Sequence, residues 1–143
     1  MRFHTFAGAM AIVSGLLFSA PIQAEDHVGP HKGAVVEWGD EEYHLEIVPD
    51  MKAGTVVVYV YGNHSEFHKA KVKPIDSKAL VLTVKGEKSI AIKLDPKPAK
   101  GDASGMSSMF VGKHELFSKE GKLTGSISGK VGTKPYTGDF KQK

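Results

Sequence analysis

The chain has 143 residues, no cysteine, and 19 Lys and Arg against 16 Asp and Glu, for a net charge of +3. Without cysteine there are no disulfides, no thiolate metal ligands, no lipid anchor at a lipobox and no cysteine nucleophile. The basic residues are dispersed lysines with no run of five, so the clustered stripe of a nucleic-acid interface is missing and the lysines read as a solvated surface.

The first 24 residues have the layout of a secretory signal peptide. Arg2 supplies the positive start, residues 6–18 form an apolar core, and Pro21-Ile22-Gln23-Ala24 offers a cleavage site with Ala24 before the cut. The apolar core is shorter than the roughly 20 residues a membrane helix needs. No second such run follows, so the expectation is an exported chain of about 119 residues with no membrane span after cleavage. That is enough chain for one domain with its own core.

Residues 25–33 are polar and include Gly29, Pro30 and Gly33, which predicts a flexible N-terminal arm ahead of a single domain over 34–143. Two apolar runs, 34–38 and 43–48, flank Gly39-Asp40-Glu41-Glu42 and predict a β-hairpin. In the second run Tyr43, Leu45 and Ile47 alternate with His44 and Glu46, the pattern of a half-buried strand with its polar groups facing out. Residues 55–61, TVVVYVY, are nearly all β-branched or aromatic and predict a central strand covered on both faces. Tyr59 and Tyr61 share one face of it, as core packing. Gly62-Asn63 then breaks the pattern, and NHSEFHK fits one helical turn capped by Asn63 or Ser65.

Val72 and Ile75 flank Pro74, which predicts an edge strand or irregular crossing. Residues 79–84 and 89–94 form a second hairpin whose core-facing set is Ile90, Ile92 and Leu94. Residues 95–107 are a long Pro-, Gly- and Ser-rich loop. A short strand over 108–111 and one helical turn within 113–119 follow. Residues 123–131 place Gly125, Ile127 and Gly129 on one side, and glycines there imply close approach of a neighbouring strand. Residues 135–140 close the chain with Tyr136 and Phe140 on one face. Trp38, the sole tryptophan, is expected to close one end of the core. The whole reads as all-β: an antiparallel β-sandwich or partly closed barrel of about eight short strands.

Chemistry is concentrated in histidine. Six of the seven histidines follow the leader: His27, His31, His44, His64, His68 and His114. His27 and His31, and likewise His64 and His68, are spaced four apart, which on a helix sets two imidazoles on one face. The candidate metal ligands are His31, His44, His64, His68 and His27, with Glu46 or Glu66 beside them, and imidazole suits Zn, Cu, Ni or Co. Met106 and Met109 are a candidate thioether pair for Cu(I), or gap-fillers of the core. Hydrolytic and phosphate-binding patterns are missing. There is no G-x-S-x-G elbow, no H-E-x-x-H, no P-loop, and Asp40-Glu41-Glu42 lacks the order of an EF-hand loop.

The run His31-Lys32-Gly33 through Tyr43-His44-Leu45-Glu46 resembles the H-G-G…Y-H-x-E opening of small exported bacterial β-domains. These occur as stand-alone proteins and as an N-terminal module on periplasmic adaptor subunits of heavy-metal efflux systems. Ser107-Ser108-Met109-Phe110 and Gly132-Thr133-Lys134-Pro135-Tyr136-Thr137-Gly138 are similar to the rest of that pattern. The resemblance implies a periplasmic accessory or binding role and no catalytic residues. The expectation is therefore a non-enzymatic periplasmic or secreted protein that binds a transition metal in connection with efflux or homeostasis and docks a periplasmic or membrane-associated partner. A metal-free module docking a partner by a sheet edge or the 95–107 loop is the alternative, and a hydrolase the remote one.

Overall fold

A computed structural model describes residues 27–143; the expected leader and its cleavage site lie outside the described residues. Eight strands form one sheet: β1 (Ala34–Trp38), β2 (Tyr43–Asp50), β3 (Thr55–Tyr61), β4 (Leu80–Val84), β5 (Ile90–Pro96), β6 (Met109–Lys113), β7 (Thr124–Val131) and β8 (Lys134–Lys141). A short helix α1 (His64–His68) follows β3, and a 3-10 turn, Glu115–Ser118, follows β6. Every pairing is antiparallel, in the order β1-β2-β3-β6-β5-β4-β7-β8. No helix among the described residues is long and apolar enough to cross a membrane.

The sheet curls until β1 and β8 lie side by side, giving a nearly closed barrel. Small residues make that closure possible. A Cβ on Gly138 would sit 2.8 Å from the Glu37 carbonyl and overlap Val36. On β7, a Cβ on Gly125 would overlap the Thr83 carbonyl, and one on Gly129 would overlap Leu80. The glycines of 123–131 thus face the close neighbours their pattern implies. Trp38 is fully buried, donates from Nε1 to the Ile127 carbonyl at 3.3 Å, and stacks on Tyr136 with ring centroids 5.4 Å apart. Outside, Glu42 in the β1–β2 turn accepts from Lys134 Nζ and Tyr136 OH, both at 2.6 Å, and so clasps β8. The Lys134 hydrogen bond, then the Tyr136 one, holds the Glu42 carboxyl below the usual carboxylate range; the same bond raises Lys134 to about 12.

The barrel interior is filled by Leu45, Ile47, Val56, Val58, Leu82, Leu94, Phe110 and their neighbours. Three expectations are corrected. Ile90 is 36% exposed, because it opens β5 opposite Val84 at the barrel mouth, whereas Ile92 and Leu94 are buried. The β3 side chains away from the core, Thr55, Val57 and Tyr59, are only partly covered. The polar face of β2 does not look out to water: His44 and Glu46 are both 0% exposed. That second face is covered by α1 and by residues 27–33, which lie hydrogen-bonded on the sheet instead of projecting from it. Val28 bridges Ala34, and Lys32 N donates to the Gly29 carbonyl at 2.8 Å.

The chain passes from β3 to β4 through isolated bridges, Tyr61 to Val72 and Ile75 to Ser107, on either side of Pro74. The long loop is pinned by Asp102, which accepts from Ala99 N and Ser108 N, each at 2.8 Å.

Gly125→Ala is expected to lower the unfolding free energy by about 1–3 kcal/mol, the usual cost of overpacking. Gly86→Ala, whose Cβ would meet nothing closer than the Lys88 carbonyl at 3.5 Å, should change it little. Urea melts of the two variants decide this.

Candidate metal centre

The outer face of the β1–β2–β3 ribbon follows from register. Glu37 lies opposite His44 and His44 opposite Tyr61; Val35 lies opposite Glu46 and Glu46 opposite Tyr59. Since side chains alternate across a strand, these six residues share one face. Two polar groups are built on it.

The first is a lock on the N-terminal segment. Glu46 Oε1 accepts from His31 N at 2.7 Å and Gly33 N at 2.9 Å. Its Oε2 accepts from Tyr61 OH at 2.9 Å and lies 2.9 Å from His31 Nδ1. A buried carboxylate needs such donors, since each unmet hydrogen bond costs about 1–3 kcal/mol. The His31 ring stacks on Tyr59, with centroids 4.0 Å apart and planes 9° from parallel. Gly29 and Gly33 flank the carboxylate, and a Cβ on either would collide with the Glu46 side chain. Burial, and then the hydrogen bond to Glu46, push the Tyr61 phenol well above its ordinary range.

The second group is a set of four imidazoles, three of which, His27, His44 and His68, touch the ring of Phe67. His44 stacks on Phe67 at 4.8 Å between centroids, and Phe67 is itself buried. Helix α1 carries His64 and His68. It forms because Asn63 and Glu66 make a reciprocal capping box, Glu66 N donating to Asn63 Oδ1 at 3.1 Å and Asn63 N to Glu66 Oε2 at 3.2 Å. That role, with an ion pair to Lys71 at 3.3 Å, commits Glu66 elsewhere than to a metal. The spacing of four along α1 brings the two Nε2 atoms of His64 and His68 to 3.0 Å.

His27, from the arm, completes the set. Its ring centroid is 5.2 Å from His64, 5.7 Å from His68 and 6.4 Å from His44; His44 and His64 are 6.0 Å apart. Four imidazoles bonded to a tetrahedral ion at about 2.0–2.1 Å would have centroids roughly 5 Å apart. The rings are therefore gathered at the right scale. Among the described residues, no group of three or more His, Asp or Glu side chains is placed to hold a metal ion, and the shortest approach between imidazole nitrogens is that of His64 and His68.

Protonation can be read from partners. His44 Nδ1 lies 3.0 Å from the Gly62 carbonyl, which only accepts, so this nitrogen carries the hydrogen and the lone pair of the neutral ring is on Nε2. That Nε2 is buried without a hydrogen-bond partner, and so is His64 Nδ1. A ring nitrogen fixed by a backbone carbonyl, with its other nitrogen bare, is the usual state of a metal-ligating histidine. His68 is exposed, which opens the cluster to solvent.

Of the residues singled out from sequence, His27, His44, His64 and His68 come together. His31 and Glu46 form the neighbouring lock, with Glu46 spent on four contacts and His31 stacked on Tyr59. Met51 is exposed, and Met106 and Met109 are half-buried. His114 caps the 3-10 turn, accepting from Leu116 N. Sequence reasoning missed Phe67, Gly62 and Tyr61 as builders of the site. Asp50 and Gly54, turn-forming residues between the two apolar runs, were the available signal, because closing that hairpin sets His44 opposite Tyr61. Comparison with protein-family models, with curated proteins and with solved structures finds no match to this chain.

Glu46→Ala strips the acceptor from His31 N, Gly33 N and Tyr61 OH, and is expected to cost about 3 kcal/mol or more. Tyr61→Phe removes one of these bonds and should cost about 1–2 kcal/mol. Trypsin cleavage after the exposed Lys32 should quicken in Glu46→Ala; an unchanged cleavage rate would mean that Glu46 does not hold the segment down.

Proposed function

We propose that this protein is a non-enzymatic, exported binding protein that holds a borderline divalent transition metal through His44, His64, His68 and His27. The observation that carries the reading is the buried Nε2 of His44, stripped of hydrogen-bond partners and placed among three further imidazoles. Leaving such an atom unpaired costs about 1–3 kcal/mol, a penalty a bound cation removes. The His64–His68 pair supplies a chelate in waiting. Two nitrogens 3.0 Å apart share a proton, and a tetrahedral ion with bonds of about 2.0–2.1 Å needs them only slightly wider, at roughly 3.3 Å. With His44 held by the Gly62 carbonyl and by Phe67, closing the set would fall to His27 and to the pair on α1.

The donor set speaks to the metal. Imidazoles without thiolates suit Zn, Cu(II), Ni and Co over the hard ions Mg and Ca and over thiophilic Cu(I). The leader at 1–24 and the resemblance to modules of heavy-metal efflux adaptors support a periplasmic setting in metal efflux or homeostasis. The metal-free docking reading needs a free sheet edge or a free loop. Here the end strands β1 and β8 lie side by side without pairing, with Gly138 against Val36 and Glu37, and the 95–107 loop is tied back by Asp102.

Titration of the exported protein with Zn2+ or Co2+ tests the proposal. Binding tighter than about 10 μM is expected, with a gain of about 2.7 kcal/mol in stability at a hundredfold excess over Kd. Paired His64→Ala and His68→Ala replacement should abolish both, while His31→Ala should leave affinity within about threefold, since that ring belongs to the lock. Binding that survives the paired replacement, or that is absent altogether, would favour the metal-free module.

A further inference from the structure

Lysines that are scattered along the sequence meet at one end of the barrel. Neighbouring strands all run antiparallel, so β1, β3, β5 and β7 start, and β2, β4, β6 and β8 finish, at the same end. Lys32 precedes β1 there, Lys85 follows β4, Lys122 precedes β7 and Lys141 ends β8. With Lys143 they line one open groove of about 1190 Å³ between the start of β1 and the end of β8, against two carboxylates, Glu37 and Asp139. Among the described residues the lysine ion pairs are those of Lys71, Lys93 and Lys134, so none of these four is neutralised in that way. Elsewhere on the turns at this end lysines and carboxylates balance, and the positive excess is that of the groove.

The same end presents apolar side chains to water. Val28, at 63% the most exposed of the large apolar residues, is part of the groove wall. Met51 in the β2–β3 turn is 47% exposed, and Ile90 at the start of β5 is 36% exposed. One exposed apolar side chain needs no explanation. Here three of the five exposed large apolar residues lie on the end that carries the lysine groove. Val28 is also held in place, by its bridge to Ala34 and by the Glu46 lock on residues 31 and 33.

We propose that this end of the barrel docks on an anionic lipid bilayer, with Val28 at the headgroup boundary and Lys32, Lys85, Lys122 and Lys141 against lipid phosphates. The apolar tips favour a membrane over a soluble polyanion, for which charge alone would serve. Lysine stems can lie along apolar surface while their ammonium groups reach phosphate. A basic side chain near an anionic leaflet is worth about fivefold in affinity, and the attraction fades within a Debye length of about 8–10 Å at physiological salt. Attachment is therefore reversible and salt-sensitive. Helix α1, with His64 and His68, follows the far end of β3, so docking leaves that pair turned to water and does not rest on the metal reading.

The test mixes the exported protein with vesicles of phosphatidylcholine, alone or with phosphatidylglycerol, and measures the bound fraction by flotation. Binding to the anionic vesicles alone, falling as salt is raised, is expected. Lys85→Ala with Lys122→Ala should weaken it about 25-fold. Lys97→Ala with Lys100→Ala, which removes the same charge from the loop at the other end, should not. Because the chain has no cysteine, Val28→Cys can carry a single environment-sensitive dye. Its emission should shift to the blue on anionic vesicles, whereas the dye on Asp40→Cys, in the β1–β2 turn at the other end, should stay unchanged. Equal binding to neutral vesicles, no binding to anionic ones, equal losses in the two lysine pairs, or a silent dye at position 28 would each overturn the proposal. Capture of soluble polyaspartate without vesicle binding would overturn it too, and would assign the groove to an acidic protein partner.

Discussion

A carboxylate with no exposed surface must find its hydrogen-bond donors inside the protein, and Glu46 finds them by drawing residues 31–33 across β2. Its oxygens are met by two backbone amides of that segment and by Tyr61 from β3. The consequence reaches beyond the lock. With the segment held down, a strand patterned to be half-buried is covered on both faces, and His27 is delivered to the histidines of β2 and α1. Glycine at 29 and 33 is the steric counterpart of the same constraint, because the carboxylate occupies the space a side chain would need.

The barrel and the site divide the work between the two faces of the sheet. The inner face is filled by apolar side chains and closed at one end by Trp38 stacked on Tyr136, so the interior serves cohesion. The clustered histidines sit outside, on the β1–β2–β3 ribbon and on α1. Phe67 joins the two functions. It is an apolar anchor for α1, and its stack on His44 sets the plane of an imidazole that would otherwise swing free. A side chain locked by packing and by a backbone carbonyl is preorganised, which is what a ligand site needs from its scaffold.

Polar groups on this face differ in how well they are satisfied. Glu46 is fully met and holds the fold together. His44 is met at one nitrogen and bare at the other, beside a pair of imidazoles that face each other nitrogen to nitrogen. Buried groups in native proteins are nearly always paired, so a bare one in a cluster of its own kind is a departure of the sort found at functional sites.

Local pattern was enough to read the strands, because alternation of period two and turn residues are written in neighbouring positions. The hairpins β1–β2 and β4–β5, the Asn63 cap of α1 and the glycine face of β7 were all legible for that reason. The histidines stood out as a residue class, but their grouping did not. His31 and Glu46 are chemically as plausible as ligands as His44 and His64; only the fold decides that the first two pair with each other and the others gather with His27. Residues 27–33 likewise look like a free arm in a polar, glycine-rich sequence, since their partner carboxylate is 13 or more positions away along the chain. Hydrogen bonds across such separations, and the burial of a face that alternation assigns to water, depend on which elements are laid over which, and that is settled only when the chain closes in three dimensions.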